Sequence, residues 1–248
     1  MIFVKTKEEV DVMRKACSIV RDTLLYVGDR IKEGVTTADV DSWVKDYIES
    51  QGAIPSCLGS EGYPASACVS VDDVVVHGIP SSKTYLEEGM IVGVDLCAYV
   101  DGYHGDGART FMIGKVSREK KELVETAERA FFEGIKDIRA GSRLGDISGA
   151  IQECVESKGY SVVRALTGHG IGREMHEDPS VPNYGVKGRG VRLHSGMTLA
   201  VEPMINLGRY DVYTERDGWT VRTRDHSPSA HYENTVVVWD DGIEILTL

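Results

Sequence analysis

Apolar residues recur at helical spacing from the start of the chain. Val10, Met13, Cys17, Val20, Leu24 and Val27 lie three or four apart behind Thr6, and Glu9 stands where it completes a capping box. This predicts a first helix. A second is predicted from near Thr37 to Gly52, with Val40, Val44, Tyr47 and Ile48 on one face. The spacing then changes to strand-like runs at 67–77, 90–99 and 110–113. After a short turn the order restarts. Ser117 opens a helix through Leu123, Ala127, Ala130, Phe131 and Ile135, and Gly145 precedes another through Ile147, Ile151 and Val155 that Gly159 closes. Strand-like runs follow at 160–166, 197–205, 217–222 and 235–239.

The restart is a repeat. Leu86-Glu87-Glu88-Gly89-Met90-Ile91-Val92-Gly93-Val94-Asp95 returns as Leu193-His194-Ser195-Gly196-Met197-Thr198-Leu199-Ala200-Val201-Glu202, with Leu, Gly, Met and Val matched in place. Both copies end an apolar strand on a carboxylate, which a core excludes unless the acid is paired or bound to a metal. The expected organisation is therefore one domain, residues 1–248, with pseudo-symmetric halves of about 1–115 and 116–248. The sheets lie side by side, the helices outside, and a ligand site at the seam.

Composition narrows the class. The net charge of −11 argues against a general nucleic-acid surface, so no direct nucleic-acid binding is expected. No apolar run is long enough to span a bilayer, and Met1-Ile2-Phe3-Val4-Lys5 lacks the plan of a signal peptide. Five cysteines, with no Cys-x-x-Cys pair, fit free thiols in a reducing cytoplasm.

Each half offers one acid at the end of a strand and one near the start of the next: Asp95 and Asp106, then Glu202 and Glu233. A hairpin can bring Asp95 beside Asp106, and like charges that close repel unless a cation lies between them. Asp106 by itself reads equally as a turn residue, and Asp101 reads as one. Four pseudo-symmetric carboxylates suit two divalent metals with bridging acids. His169, between Gly168 and Gly170, adds nitrogen, and His77 ends an apolar strand before a Gly turn. His104, His194, His226 and His231 lack such settings and read as structural or surface residues. The chain has no His-Glu-x-x-His helix, no Gly-x-Ser-x-Gly elbow and no Walker loop. Oxygen-rich ligation with one His favours Mn, Fe, Co or Zn over a thiolate site.

The residues His77-Gly78-Ile79-Pro80, Asp95 with Gly105-Asp106-Gly107-Ala108-Arg109-Thr110, Gly168-His169-Gly170-Ile171-Gly172, Glu202-Pro203-Met204 and Glu233-Asn234-Thr235 appear in that order. Together they resemble the methionine aminopeptidases, over nearly the whole chain. The short spacing from His176 to Glu202 and the start near residue 1 resemble the compact bacterial-style type 1 enzymes. The resemblance implies an α+β, duplicated "pita-bread" (creatinase/aminopeptidase) fold with an antiparallel sheet, helices on its outer face and internal pseudo-two-fold symmetry. It implies a hydrolase that removes the initiator methionine from nascent proteins with a small second residue.

The resemblance also implies roles. Asp95, Asp106, His169, Glu202 and Glu233 would hold two divalent ions, with Co, Mn, Fe, Zn and Ni not distinguished, and Asp106 and Glu233 would bridge them. Glu202 would also move a proton, and His77 and His176 would contact substrate. Cys57, Ser60, Tyr63, Cys68, Met175 and Trp219 would form the methionine pocket, where sulfur and aromatic surfaces suit a thioether. Ser60 stands where relatives often carry Tyr, and Met175 where they often carry Phe, which implies a wider or more flexible rim. Asp72, Val74 and Ser229 would lie near a monovalent cation, Na or K. The implied partner is the N-terminal peptide of nascent proteins, with at most a transient ribosome contact, for a cytoplasmic monomer. The rival readings are a Xaa-Pro aminopeptidase or prolidase, which usually carries an extra N-terminal domain, and a non-catalytic binding module of the same fold.

Overall fold

The computed structural model describes residues 2–248. In chain order its helices are α1 (Lys7–Gly28), α2 (Thr37–Ser50), α3 (Arg118–Ile135) and α4 (Leu144–Glu156). The first-half strands are β1 (Ile54–Pro55), β2 (Ala67–Val71), β3 (Val74–Val76), β4 (Ile91–Val100) and β5 (Tyr103–Met112). The second half begins with β6 (Ser161–Val162), β7 (Gly168–Gly170), β8 (Glu177–Val181), β9 (Thr198–Val201) and β10 (Met204–Asn206). It continues with β11 (Val212–Thr214), β12 (Val221–Thr223), β13 (Ser229–His231), β14 (Glu233–Val238) and β15 (Ile243–Ile245).

The helices start where the caps predict. Thr6 accepts from the Glu9 amide while Glu9 accepts from the Thr6 amide, so two of the first turn's donors are satisfied reciprocally. Thr36 and Asp39 do the same for α2. The predicted strands are less continuous than their apolar runs. The run 67–77 is two strands in different sheets, broken at Asp72, whose φ is +49°. The run 197–205 is likewise two strands, broken at Glu202-Pro203, where proline offers no amide to a ladder. Strand β5 is longer than the 110–113 run, so Asp106 lies inside a strand and not in a turn; the turn is at Asp101-Gly102.

The main sheet runs β1-β4-β5-β14-β9-β7-β8, with β2 on β4 and β15 on β14, and every pairing is antiparallel. It joins the two halves where Glu233 pairs with Ala108 and Asn234 with Gly107. Helices α1 and α2 bury Val20, Leu24, Val44 and Ile48 against Val92, Val94 and Leu96 of β4. Helices α3 and α4 bury Leu123, Phe131, Ile147 and Ile151 against Leu199, Val201 and Val236 of β9 and β14. Each helix pair thus covers its own half of one sheet and drives its burial there. Among the described residues no helix is long and apolar enough to cross a membrane.

The approach of α1 to β5 depends on glycine. A Cβ at Gly105 would stand 2.6 Å from the Cys17 amide nitrogen and 2.8 Å from the Ala16 carbonyl carbon. These are backbone atoms of a packed helix and cannot yield locally. Gly105→Ala is expected to cost about 1–3 kcal/mol by overpacking. At about 2–4 °C per kcal/mol for a chain of this size, the thermal midpoint falls by several degrees. A melting curve coincident with that of the parent would overturn this account of the Gly-Asp-Gly sequence.

Candidate active site

The register of the sheet assembles the acids. Asp95 on β4 faces Ala108 on β5, and Ala108 faces Glu233 on β14. Asn234 pairs with Val201, so the next step of the same register brings Glu202 beside Glu233. Three carboxylates therefore lie in one row across the strands, with the small Ala108 leaving room between two of them. Asp106 is two residues from Ala108 and on its face, and His169 is opposite Ala200, two residues from Glu202. All five side chains enter one cavity of about 690 Å³.

Each is held by its surroundings. The Thr235 hydroxyl accepts from the Asp106 amide at 3.0 Å and donates to the Asp106 carbonyl at 2.9 Å. Asn183 donates to the Glu202 carbonyl at 3.0 Å. The His169 ring contacts the Gly170 carbonyl through Nδ1 at 2.8 Å, a contact that assigns the proton to Nδ1 and leaves Nε2 to the cavity. A Cβ at Gly168 would overlap the Ala200 carbonyl and one at Gly170 the Asp178 carbonyl, so the glycines let β8 and β9 close on His169 from both sides. His77 has φ +57°, a conformation costly to a side-chain-bearing residue, directly before Gly78.

The electrostatics are those of a cluster awaiting positive charge. Burial pushes Asp95 up to about 7. Burial and the Asp95 charge push Asp106 well above the carboxylate range, and burial with both aspartates does the same to Glu202. Glu233 rises for the same reasons, burial first and then its three acidic neighbours. Burial pulls His169 down to about 4, so the ring is neutral. Asp106 Oδ1 is buried without a hydrogen-bond partner. Two sets of ligand atoms, Asp106–His169–Glu233 and Asp95–His231–Glu233, each fall within 4.8 Å of one another. Carboxylates too close to ionise together, an orphaned oxygen and a neutral imidazole make a donor set that fits divalent cations. Adding Mn or Co to metal-stripped protein is expected to stabilise it by about 2.7 kcal/mol at a hundredfold excess over Kd, visible as a rise in thermal midpoint. An unchanged midpoint in every metal tried would count against the fit.

The other expected residues line the same cavity: His77 and His176, then Cys57, Ser60, Tyr63, Cys68, Met175 and Trp219. His176 stands edge-on to His169, ring centroids 4.5 Å apart, and burial lowers its pKa. Trp219 stands edge-on to Tyr63 at 5.2 Å and to His77 at 6.3 Å. Tyr63 is pinned by its hydroxyl to the Ala67 and Gly78 carbonyls. The cavity is also lined by Phe3, Glu61, Leu166 and Ser180, which sequence reasoning did not single out.

One placement differs from the sequence-based picture. His231 is buried among the acids, its Nε2 3.6 Å from Glu202 Oε2 and 3.8 Å from Glu233 Oε2. The signal available was its spacing: two residues before Glu233 is the same face of an extended chain. Asp72, Val74 and Ser229 lie together at the β3–β13 edge, where the Asp72 carbonyl accepts from the Ser229 amide at 2.8 Å. There the Lys120 ammonium reaches Asp72 Oδ1 at 2.6 Å and the Gly89 carbonyl at 2.8 Å.

Comparison with known proteins follows this geometry. The model of metallopeptidase family M24 matches residues 11–240. A methionine aminopeptidase of Clostridium acetobutylicum is 52% identical over 248 residues, spanning 100% of this chain and 99% of its own. The crystal structure of a methionine aminopeptidase from Thermotoga maritima has a TM-score of 0.98 at 44% identity, covering 100% of this chain and 99% of that one. A prolidase from Pyrococcus furiosus has a TM-score of 0.79 at 24% identity, covering 99% of this chain and 65% of that one, a likeness of fold alone.

Proposed function

Since the chain belongs to metallopeptidase family M24 and, within it, to the methionine aminopeptidases, we propose that it removes the N-terminal methionine from nascent proteins whose second residue is small, in the cytoplasm and as a monomer. It is a hydrolase that binds divalent metal and acts on N-terminal peptides. The observation that carries the finer reading is the row of Asp95, Glu233 and Glu202 in one cavity beside Asp106 and His169. We assign these five residues to two divalent ions, and residues 1–248 to one catalytic domain, because each half supplies part of the set.

Bound there, the ions would neutralise the carboxylates, lower the pKa of an attacking water and hold the charge that develops on the substrate oxygen. Glu202 takes the proton from that water and passes it to the leaving amine, a transfer its place in the acid row beside Glu233 allows. His176 donates to the substrate carbonyl as its oxygen becomes an oxyanion. His77, held beside Trp219, contacts the substrate near the scissile bond. The methionine side chain fills the pocket of Cys57, Ser60, Tyr63, Cys68, Met175 and Trp219, where thiols and aromatic faces meet a thioether. The free α-amine lies at the acidic end of the cavity, so only a chain terminus is cut. A monovalent cation near Asp72, Val74 and Ser229 and a transient ribosome contact belong to the same reading.

The test is methionine release from a Met-Ala-Ser peptide with Mn, Fe, Co, Zn or Ni, with an Ala-Pro peptide in parallel. Release from the first, stopped by chelator, is expected. No release under any metal, or preference for Ala-Pro, would overturn the assignment.

A further inference from the structure

Resting on the metal-dependent reading above, we infer that His231 is a sixth ligand of the centre, giving the ion held by Asp95 and Glu233 an imidazole of its own. His231 is only 3% exposed, and its Nε2 is buried without a hydrogen-bond partner. It faces two carboxylates, at 3.6 Å from Glu202 Oε2 and 3.8 Å from Glu233 Oε2. Those separations are too long for hydrogen bonds. They match those of His169, whose Nε2 is 3.7 Å from both Asp106 Oδ2 and Glu202 Oε1. Donors about 2.0–2.2 Å from a shared ion stand apart by roughly 3–3.5 Å, so both rings are spaced as ligands with an ion still to draw them in.

The backbone holds the ring in place. The His231 amide donates to Thr110 Oγ1 at 3.0 Å, and the same hydroxyl donates back to the His231 carbonyl at 2.8 Å. Two groups of ligand atoms then meet at Glu233, one with Asp106 and His169 and the other with Asp95 and His231. Each ion receives one nitrogen. The Asp95 side is therefore softer than carboxylates alone would make it, and closer in preference to its neighbour.

Titration of metal-stripped protein with Co alone tests this. The parent is expected to bind two ions. His231→Gln is expected to keep one at parental affinity and bind the other at least about tenfold more weakly, as loss of a ligand-supporting contact does at other metal sites. His169→Gln should show the reverse loss. The visible spectrum of the second Co ion should change in His231→Gln. Thermal melting of the metal-free variants reports whether they fold. In the fully loaded parent, proton magnetic resonance should show two exchangeable imidazole N–H signals shifted by Co, and this reading needs no variant. Two ions at parental affinity in His231→Gln, or a single shifted signal in the parent, would overturn the assignment. A parent that binds no metal would overturn the metal-dependent reading itself.

Discussion

Glu202→Gln is expected to lower kcat by about 10²–10⁴, the range that a positioned general base contributes. The effect falls on kcat and leaves KM for the peptide within a few-fold, because glutamine keeps the volume of the side chain and adds no bulk to the methionine pocket. The Glu202 backbone stays anchored through the Asn183 amide. What is lost is the one carboxylate of the row assigned both to hold metal and to move the proton. Glu202→Asp serves as the companion: it retains the acid but shortens its reach, and should fall between the two. The measurement is steady-state release of methionine with metal content determined on the same sample. A glutamine variant with full metal content and kcat within tenfold of the parent would remove Glu202 from the proton path.

Asp106→Asn is expected to abolish activity by a different route. A carboxylate shared by two ions would neutralise both at once, and an amide of the same shape would not. With several kcal/mol of charge stabilisation removed, kcat/KM should fall by about 10³ or more, together with the number of ions bound. Stability should move the other way. In the metal-free chain Asp106 is a buried acid beside Asp95, with one oxygen unpaired. Replacing it with a neutral group removes that repulsion, so the metal-free variant should melt no lower than the parent. The opposed signs separate a lost metal from a damaged fold. A variant that binds the full complement of metal and turns over within tenfold of the parent would show that Asp106 is not a bridge.

Much of this molecule was legible before any fold was in view. Helix α1 begins at its predicted cap and α2 at its predicted start, because a capping box and an amphipathic stripe are local, written within one or two turns of chain. The repeat that ends on Asp95 and Glu202 was legible for the same reason. Strand ends were not. The runs 67–77 and 197–205 read as single strands because their apolar and β-branched residues outweigh Asp72-Asp73 in one and Glu202-Pro203 in the other. Their breaks at Asp72 and at Glu202-Pro203 come from the partners each piece finds in separate sheets. Strand β7 was missed because three residues, two of them glycine, carry no periodicity, and the strand exists only because β8 and β9 close on it.

By itself, then, the sequence determined which donors the protein owns, their order along the chain, and the division into two related halves. Only the tertiary structure decided that Asp95, Glu233 and Glu202 share one row, and that His231 faces the acids. Spacing along a chain sets side-chain direction within a strand. Distance between strands is set by register, and register is chosen by the whole sheet and the helices packed on it.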